Sequence, residues 1–131
     1  MAEIHKLLIV DDDPDIRDLI SQILDPDKYE LVLASNGQEA LDEVHRQRFD
    51  LIVMDLMMPG MSGIEVCQLI KQEPDNLDIP IVMLTAKTGI SDRIDGFMTG
   101  AEEYITKPFD PMKLEARIET ILRRIDREHN Q

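Results

Sequence analysis

Short apolar runs alternate with amphipathic stretches along the whole chain of 131 residues. Five of the runs are predicted to be β-strands, and they cover residues 6–10, 30–34, 50–54, 79–84 and 103–106. Three of them are continuous and rich in Ile, Leu or Val. Such runs are typical of parallel strands that are covered on both faces, whereas strands with one wet face alternate apolar and polar residues.

The stretches between the strands carry apolar residues at helical spacing, and several begin with residues that cap helices. Asp13 is predicted to be an N-cap, followed by Pro14 at the first helical position. Ser62 has Glu65 three residues later, which is the spacing of a capping box. Further helices are predicted to start at residues 36–37, to cover residues 89–98, and to cover the apolar repeat of residues 114–125. Residues 74–80 are predicted to form only a loop.

This order of elements predicts a single α/β domain. Five successive strand–helix units form an open parallel sheet with helices on both faces. A length of 131 residues suits one core, and no stretch has the composition of a linker or a low-complexity tail. We therefore expect one domain over residues 1–131, with its core at about residues 5–125.

Acidic residues dominate the charge of the chain, with 27 Asp and Glu against 14 Lys and Arg and a formal net charge of −13. Such a body repels nucleic-acid phosphates, so we expect no direct nucleic-acid binding by this chain. No apolar run exceeds four residues, so we expect neither a membrane span nor a secretory signal peptide. The single cysteine, Cys67, has no internal disulfide partner, which agrees with a reducing cytoplasm.

Polar residues cluster where the predicted strands end. The carboxyl ends of parallel strands meet at one edge of an open sheet, and the loops there form its binding crevice. The residues that follow the first, third, fourth and fifth strands at this edge are Asp11, Asp12, Asp13, Asp55, Thr85, Ala86, Lys107 and Pro108. Clustered carboxylates suit a hard cation such as Mg²⁺, and a carboxylate beside that ion can accept a phosphoryl group. A lysine and a hydroxyl would help to neutralise the charge of the transferred group.

Four sequence motifs at these positions resemble those of one known family. The motifs VDDD, MDLMMPGMSG, TAK and YITKPF occur in the order and spacing of the receiver domain of bacterial response regulators, from Leu7 to about Arg124. The resemblance implies a CheY-like, flavodoxin-like (βα)5 three-layer sandwich whose parallel sheet has the strand order 2-1-3-4-5. It also implies a regulatory switch of two-component signalling, not an enzyme with a separate substrate. Such a domain catalyses its own phosphotransfer and autodephosphorylation.

The resemblance assigns the phosphoacceptor and the metal ligands residue by residue. Asp55 corresponds to the acceptor, which takes its phosphoryl group from a phosphohistidine of a sensor histidine kinase or a phosphotransfer protein. Asp12 corresponds to the principal ligand of Mg²⁺, for which Mn²⁺ or Ca²⁺ can substitute, and Asp11 corresponds to its acidic partner. A further protein ligand would be the backbone carbonyl of Met57.

The same resemblance assigns the residues that respond to the phosphoryl group. Lys107 would pair with one phosphoryl oxygen, and Thr85 would hydrogen-bond to another. Tyr104 would be the switch aromatic that moves inward as Thr85 shifts, and the small Ala86 would leave room for the phosphodonor. The peptide bond between Lys107 and Pro108 is expected to be cis, a geometry found in about 5–6% of X–Pro bonds in folded proteins.

The resemblance also implies how the switch reaches its partners. In the family, a face made of the fourth helix, the fifth strand and the fifth helix changes on phosphorylation and controls an output domain or a partner protein. Family members that are transcription factors pair a basic residue of the fourth helix with an acid of the fifth helix across a dimer. Arg93 fits the first position, but the second is Lys113, which would repel it, although Glu103 and Arg117 suit another such pair. We therefore expect a monomer or a weak phosphorylation-dependent dimer.

Two other functions suit such a sheet but disagree with particular residues. A Mg²⁺-dependent phosphohydrolase of the haloacid dehalogenase type usually carries a second Asp two residues after its Asp nucleophile, where this chain has Met57. A flavodoxin-like cofactor binder would need a phosphate-cradling loop after the first strand, where Asp11 to Asp13 would repel phosphate. Met57, Met58 and Met61 could suggest a soft-metal site, but they follow a strand end without a nearby Cys or His, so we expect them to fill gaps in the core.

The lifetime of the phosphorylated state is a separate expectation. In the family, the residues two positions after the acceptor and two positions after the site threonine influence attack by water, and here they are Met57 and Lys87. An apolar side chain at the first position should hinder water. We therefore expect a long-lived phosphoryl group.

Overall fold

A five-stranded parallel sheet forms the centre of the molecule in the computed structural model, which describes residues 4–86 and 101–129. Its strands are β1 (His5–Val10), β2 (Tyr29–Ala34), β3 (Leu51–Asp55), β4 (Ile81–Ala86) and β5 (Glu103–Lys107). They lie in the order β2-β1-β3-β4-β5, and every pair of neighbours is parallel. The expected strand order 2-1-3-4-5 is therefore confirmed. The helix predicted at residues 89–98 lies outside the described residues.

The α-helices of the described residues are α1 (Pro14–Ile23), α2 (Gly37–Arg46), α3 (Gly63–Lys71) and the C-terminal helix α4 (Pro111–His129). Their caps agree with those expected from the sequence. The carboxylate of Asp13 accepts a hydrogen bond from the amide of Asp15, and Pro14 starts α1. Ser62 and Glu65 form the reciprocal hydrogen bonds of a capping box at the start of α3. None of these helices is both long and apolar enough to cross a membrane.

The segment before β4 differs from the prediction. Pro74–Asn76 forms a short 3-10 helix where only a loop was expected, and proline at its first position has a φ that suits this turn. The ammonium of Lys71 donates hydrogen bonds to the carbonyls of Leu77 at 2.9 Å and Ile79 at 2.6 Å. Because these bonds hold the chain to the end of α3, β4 begins at Ile81 instead of at residue 79.

Alternate strand residues point to opposite faces of the sheet, and within residues 4–86 and 101–129 two helices pack on each face. One core cluster combines strand residues such as Leu8 and Met83 with apolar residues of α2 and α3. The other combines strand residues such as Leu7 and Val53 with apolar residues of α1 and α4. All of residues 51–54 are fully buried, which explains why this run shows no alternation of apolar and polar residues. The molecule is therefore the expected three-layer sandwich.

The three methionines after β3 do not share one environment. Met58 is buried and Met61 packs against the core cluster under α2 and α3, as expected for residues that fill gaps. Met57, in contrast, is 64% exposed, so the expectation that it packs in the core is wrong. Met57 comes two residues after the end of β3, and its side chain points away from the core in which its neighbours Leu56 and Met58 are buried.

Gly63, the first residue of α3, lies directly against the end of β3. A Cβ atom added at this position would lie 2.3 Å from the carbonyl oxygen of Asp55 and 2.9 Å from the Cα of Leu56. The amide of Gly63 also donates a hydrogen bond to the carbonyl of Leu56 at 2.9 Å. The glycine therefore lets α3 begin beside the strand that ends in Asp55, and it closes the loop of residues 56–63.

This close approach predicts that Gly63→Ala is strongly destabilising. The atoms that the new Cβ would meet belong to the backbone of β3 and cannot turn aside, so we expect a loss of about 3 kcal/mol in the free energy of unfolding. Gly60→Ala is the matched control, because Gly60 has a φ of 80° but no atom of the described residues near the added Cβ, apart from its chain neighbours. It should lose only about 1 kcal/mol through backbone strain. Urea denaturation measures both losses, and equal losses would contradict the importance of the contact.

Candidate functional site

Three charged side chains meet at the carboxyl edge of the sheet. Lys107 is the last residue of β5, at the edge of the sheet, and its side chain extends towards the inner strands β1 and β3. Its Nζ atom lies 2.9 Å from Oδ2 of Asp11, which follows β1, and 3.2 Å from Oδ1 of Asp55, which ends β3. One ammonium therefore bridges two carboxylates that come from neighbouring strands.

Asp11 is fully buried, and its polar groups are held by several partners. Its amide donates a hydrogen bond to the carbonyl of Ala34 at 3.1 Å, and its Oδ1 atom accepts one from the amide of Asp13 at 2.9 Å. Its Oδ2 atom contacts the ammonium of Lys107 but has no partner with the angles of a hydrogen bond among the described residues. A buried carboxylate oxygen in this state is suited to a further cation.

Asp11, Asp12 and Asp55 form a group of carboxylates that could hold a metal ion. One oxygen from each of the three lies within 4.8 Å of the others. Asp12 is exposed while the other two are buried, so the group opens to solvent on one side. A donor set made only of oxygens, with more negative than positive charge, fits a hard cation that keeps some of its water ligands. The main chain of Met57 adjoins this group, since its amide lies 3.3 Å from Oδ1 of Asp55.

The crowding of carboxylates changes the proton affinity of Asp55. Burial, the charge of Asp11 and the contact with Asp12 raise the pKa of Asp55 to about 7, although Lys107 acts in the opposite direction. Burial lowers the pKa of Lys107, but its bond to Asp11 and the charge of Asp55 outweigh this effect, and the pKa is raised. The ammonium therefore stays charged, and Asp55 keeps a proton until near neutral pH when no further cation is bound.

The remaining predicted site residues lie on β4 and β5. Thr85 is 4% exposed, near the end of β4. Ala86 is paired in register with Lys107 at the ends of these two strands. Tyr104, three residues earlier in β5, is half-buried and packs against the core cluster under α2 and α3. The peptide bond between Lys107 and Pro108 is cis.

One residue that contacts the acidic loop was not anticipated from the sequence. Arg17, in α1, donates a hydrogen bond from Nη1 to the main-chain carbonyl of Asp11 at 2.6 Å. The two residues are six apart and lie on either side of the helix start, so no common motif predicts the contact. The hint in the sequence was the positive charge of Arg17 near the N-terminus of α1, where a cation is unfavourable unless another contact holds it.

The family model described as the response regulator receiver domain matches residues 7–119 of the chain. The chain belongs to the response regulator receiver domain family. This receiver domain is similar to the probable transcriptional regulator ycf27 of Porphyridium aerugineum, with 45% identity over 94% of this chain and 50% of that protein. It is 44% identical to the alkaline phosphatase synthesis transcriptional regulatory protein PhoP of Bacillus subtilis, over 91% of this chain and 49% of that protein. The chain thus spans about half the length of these curated relatives.

A solved structure shows the same architecture. The chemotaxis response regulator CheY4 of Vibrio cholerae is similar to this receiver domain with a TM-score of 0.85 and 34% identity. The likeness covers 91% of this chain and 99% of that chain. The CheY-like, flavodoxin-like fold expected from the sequence is therefore confirmed.

The raised pKa of Asp55 predicts that the metal-free receiver domain loses stability as the pH rises. The ordinary pKa of this carboxyl is 3.8 and its pKa in the folded protein is about 7. Between these values the folded state binds more protons than the unfolded state, so the free energy of unfolding falls with rising pH. Asp55→Asn removes this titration, so above neutral pH it should exceed the wild type in stability by roughly 1–3 kcal/mol. One pKa unit corresponds to about 1.4 kcal/mol, and screening by the water that reaches the pocket reduces the full difference.

Urea unfolding in the presence of a chelator, from about pH 5 to about pH 8, measures this difference. Asp18→Asn removes an exposed carboxylate of α1 and controls for the loss of one negative charge. The gain from Asp55→Asn should grow as the pH rises, whereas the control should show no such growth. A gain that is the same at both ends of the pH range would contradict the prediction.

Proposed function

We propose that this chain is the phosphoacceptor of a two-component or phosphorelay system, and that Asp55 takes a phosphoryl group from a phosphohistidine in a Mg²⁺-dependent reaction. The donor is a sensor histidine kinase or a phosphotransfer protein. The observation that carries the proposal is the contact of Lys107 with both Asp11 and Asp55, beside the exposed carboxylate of Asp12. This arrangement combines an acceptor, a cation-binding group and a fixed ammonium, which are the parts that phosphoryl transfer needs.

Asp55 is the nucleophile of the proposed reaction. One oxygen of its carboxylate attacks the phosphorus, the bond between phosphorus and the imidazole nitrogen breaks, and the nitrogen keeps the electron pair and takes up a proton. Asp11, Asp12, Asp55 and the carbonyl of Met57 would hold the Mg²⁺ ion, which supplies positive charge against the phosphoryl oxygens, and Mn²⁺ or Ca²⁺ would substitute for it. A bound cation also favours the ionised form of Asp55, which attack requires.

The residues of β4 and β5 respond to the phosphoryl group in this proposal. Lys107 pairs with one phosphoryl oxygen, which it can reach because its ammonium already lies 3.2 Å from the acceptor. The hydroxyl of Thr85 hydrogen-bonds to another oxygen, and Ala86 leaves space for the donor. Tyr104 then moves inward as Thr85 shifts, which changes the face of the molecule to which β5 and α4 contribute.

The changed surface would control an output domain or a partner protein. The relatives at 44–45% identity are named as transcriptional regulators and are about twice as long as this chain, which supports an output that lies outside it. With a net charge of −13, the receiver itself should not bind nucleic acid. Arg117 pairs with Glu103 within the chain at 3.2 Å. Arg93, which lies outside the described residues, would be repelled by Lys113 across a dimer of the transcription-factor type. We therefore propose a monomer or a weak phosphorylation-dependent dimer in the cytoplasm.

The assignment of Asp55 as the acceptor predicts that treatment with acetyl phosphate and Mg²⁺ adds one phosphoryl group to the protein. Intact-protein mass spectrometry should detect this gain in the wild type and not in Asp55→Ala. Beryllofluoride with Mg²⁺ should likewise perturb the amide NMR signals of the pocket only when Asp55 is present. Asp50→Ala is the matched control, because it removes an exposed carboxylate beside the other end of β3 and should leave phosphorylation unchanged. A wild-type rate of phosphorylation in Asp55→Ala would refute the assignment.

The exposed side chain of Met57 predicts slow hydrolysis of the phosphorylated receiver. An apolar group two residues after the acceptor, with most of its surface outside the core, can shield the phosphorus from water. Met57→Asn should therefore release phosphate roughly tenfold faster, which corresponds to about 1.4 kcal/mol in the barrier. Leu77→Asn changes an exposed apolar residue before β4, away from the pocket, and should keep the wild-type rate. An unchanged rate of phosphate release from Met57→Asn would count against the shielding.

A further inference from the structure

Arg17 is bound to the backbone of the acidic loop and not to a carboxylate. Its Nη1 atom donates a hydrogen bond to the main-chain carbonyl of Asp11 at 2.6 Å. Arg17 forms no ion pair with any of the described residues, although the chain carries 27 acidic residues. Hydrogen bonds from Ser35 and, at longer range, the charge of Arg17 lower the pKa of Glu39, but the direct polar contact of the guanidinium among the described residues is the carbonyl of Asp11.

The carbonyl that Arg17 holds belongs to the peptide bond between Asp11 and Asp12. The amide of Asp11 is engaged by the carbonyl of Ala34, and its carboxylate by the amide of Asp13 and the ammonium of Lys107. The orientation of the peptide bond that follows determines where Asp12 leaves the end of β1. Arg17 is therefore bonded to the peptide group that separates the buried carboxylate of Asp11 from the exposed carboxylate of Asp12.

The position of Arg17 is not explained by the stability of its own helix. It is the fourth residue of α1, where the partial positive charge of the helix N-terminus disfavours a cation. It also adds positive charge near a group of carboxylates that could hold a metal ion, which opposes the binding of a cation. The hydrogen bond to the buried residue Asp11 gives a physical reason for an arginine at this position.

We propose that Arg17 is a positioning residue of the acidic pocket, which acts through the carbonyl of Asp11 to orient the carboxylates of Asp11 and Asp12 towards Mg²⁺. This inference rests on the proposed function of the pocket as a Mg²⁺ site. Without the guanidinium, a buried carbonyl loses its donor, and the peptide bond can rotate to find another. Groups that orient metal ligands from behind commonly change metal affinity when they are removed.

Whether Mg²⁺ binds more tightly or more weakly after removal of Arg17 distinguishes a positioning role of this residue from a purely electrostatic one. If Arg17 acted only through its charge, its removal would strengthen Mg²⁺ binding, because a repulsive charge would be lost. If Arg17 positions the ligands, its removal weakens Mg²⁺ binding, by roughly tenfold. The two accounts therefore predict opposite results in one titration.

The chain contains a matched control for this experiment. Arg48 also donates from Nη1 to the main-chain carbonyl of an aspartate, Asp75, at 2.6 Å, but it precedes β3 and lies away from the carboxyl edge of the sheet. Arg17→Met and Arg48→Met lose the same charge and the same type of bond. Amide NMR titration with Mg²⁺ alone measures the affinity of each variant, and urea unfolding in a chelator shows that each is folded. Amide hydrogen exchange of Asp13 in the metal-free protein is a second readout.

We expect weaker Mg²⁺ binding and faster exchange of the Asp13 amide in Arg17→Met, with wild-type values in Arg48→Met. Unchanged or tighter binding by Arg17→Met, or equal weakening in both variants, would overturn the inference. Arg17→Leu, which also lacks a donor, should behave as Arg17→Met does, so the result does not depend on the folding of a single variant. If the wild type binds Mg²⁺ but accepts no phosphoryl group from acetyl phosphate, the proposed function fails while the role of Arg17 in metal binding is still decided by the titration.

Discussion

The contact that the rest of the structure depends on is the ammonium of Lys107 between the carboxylates of Asp11 and Asp55. Both carboxylates are almost fully buried, and removing charges from water is unfavourable unless they are closely paired. One ammonium does not neutralise three neighbouring carboxylates, and burial together with the charge of Asp11 raises the pKa of Asp55. The pocket therefore carries an excess of negative charge, which favours the binding of a further cation.

Such a pocket needs a rigid frame, and the parallel sheet provides it. The strands β1 and β3 are inner strands whose residues belong to two separate core clusters, so their ends cannot move apart without disturbing both layers of helices. Gly63 adds a local constraint, because it brings the start of α3 against the carbonyl of Asp55. Asp55, the proposed acceptor, is thus fixed by the strand before it and by the helix after it.

The loops around the pocket differ in how firmly they are held. The loop after β1 is bonded through the amide, the carboxylate and the carbonyl of Asp11. The side chain of Met57, in contrast, is mostly exposed. Hydrogen bonds to Asp11 therefore fix the loop after β1, whereas the side chain of Met57 is not held by the core.

Local patterns in the sequence determined the elements of this protein and much of its site. The fully apolar run before Asp55, the cap at Asp13 and the capping box of Ser62 each depend on residues a few positions apart, and all were predictable. The family motifs supplied the strand order, which local spacing alone does not determine. The tertiary structure decided three further features: the reach of Lys107 to two other strands, the bond from Arg17 to Asp11, and the exposure of Met57. The physical reason is that burial and charge pairing depend on which surfaces meet in space, and sequence spacing does not specify those distances.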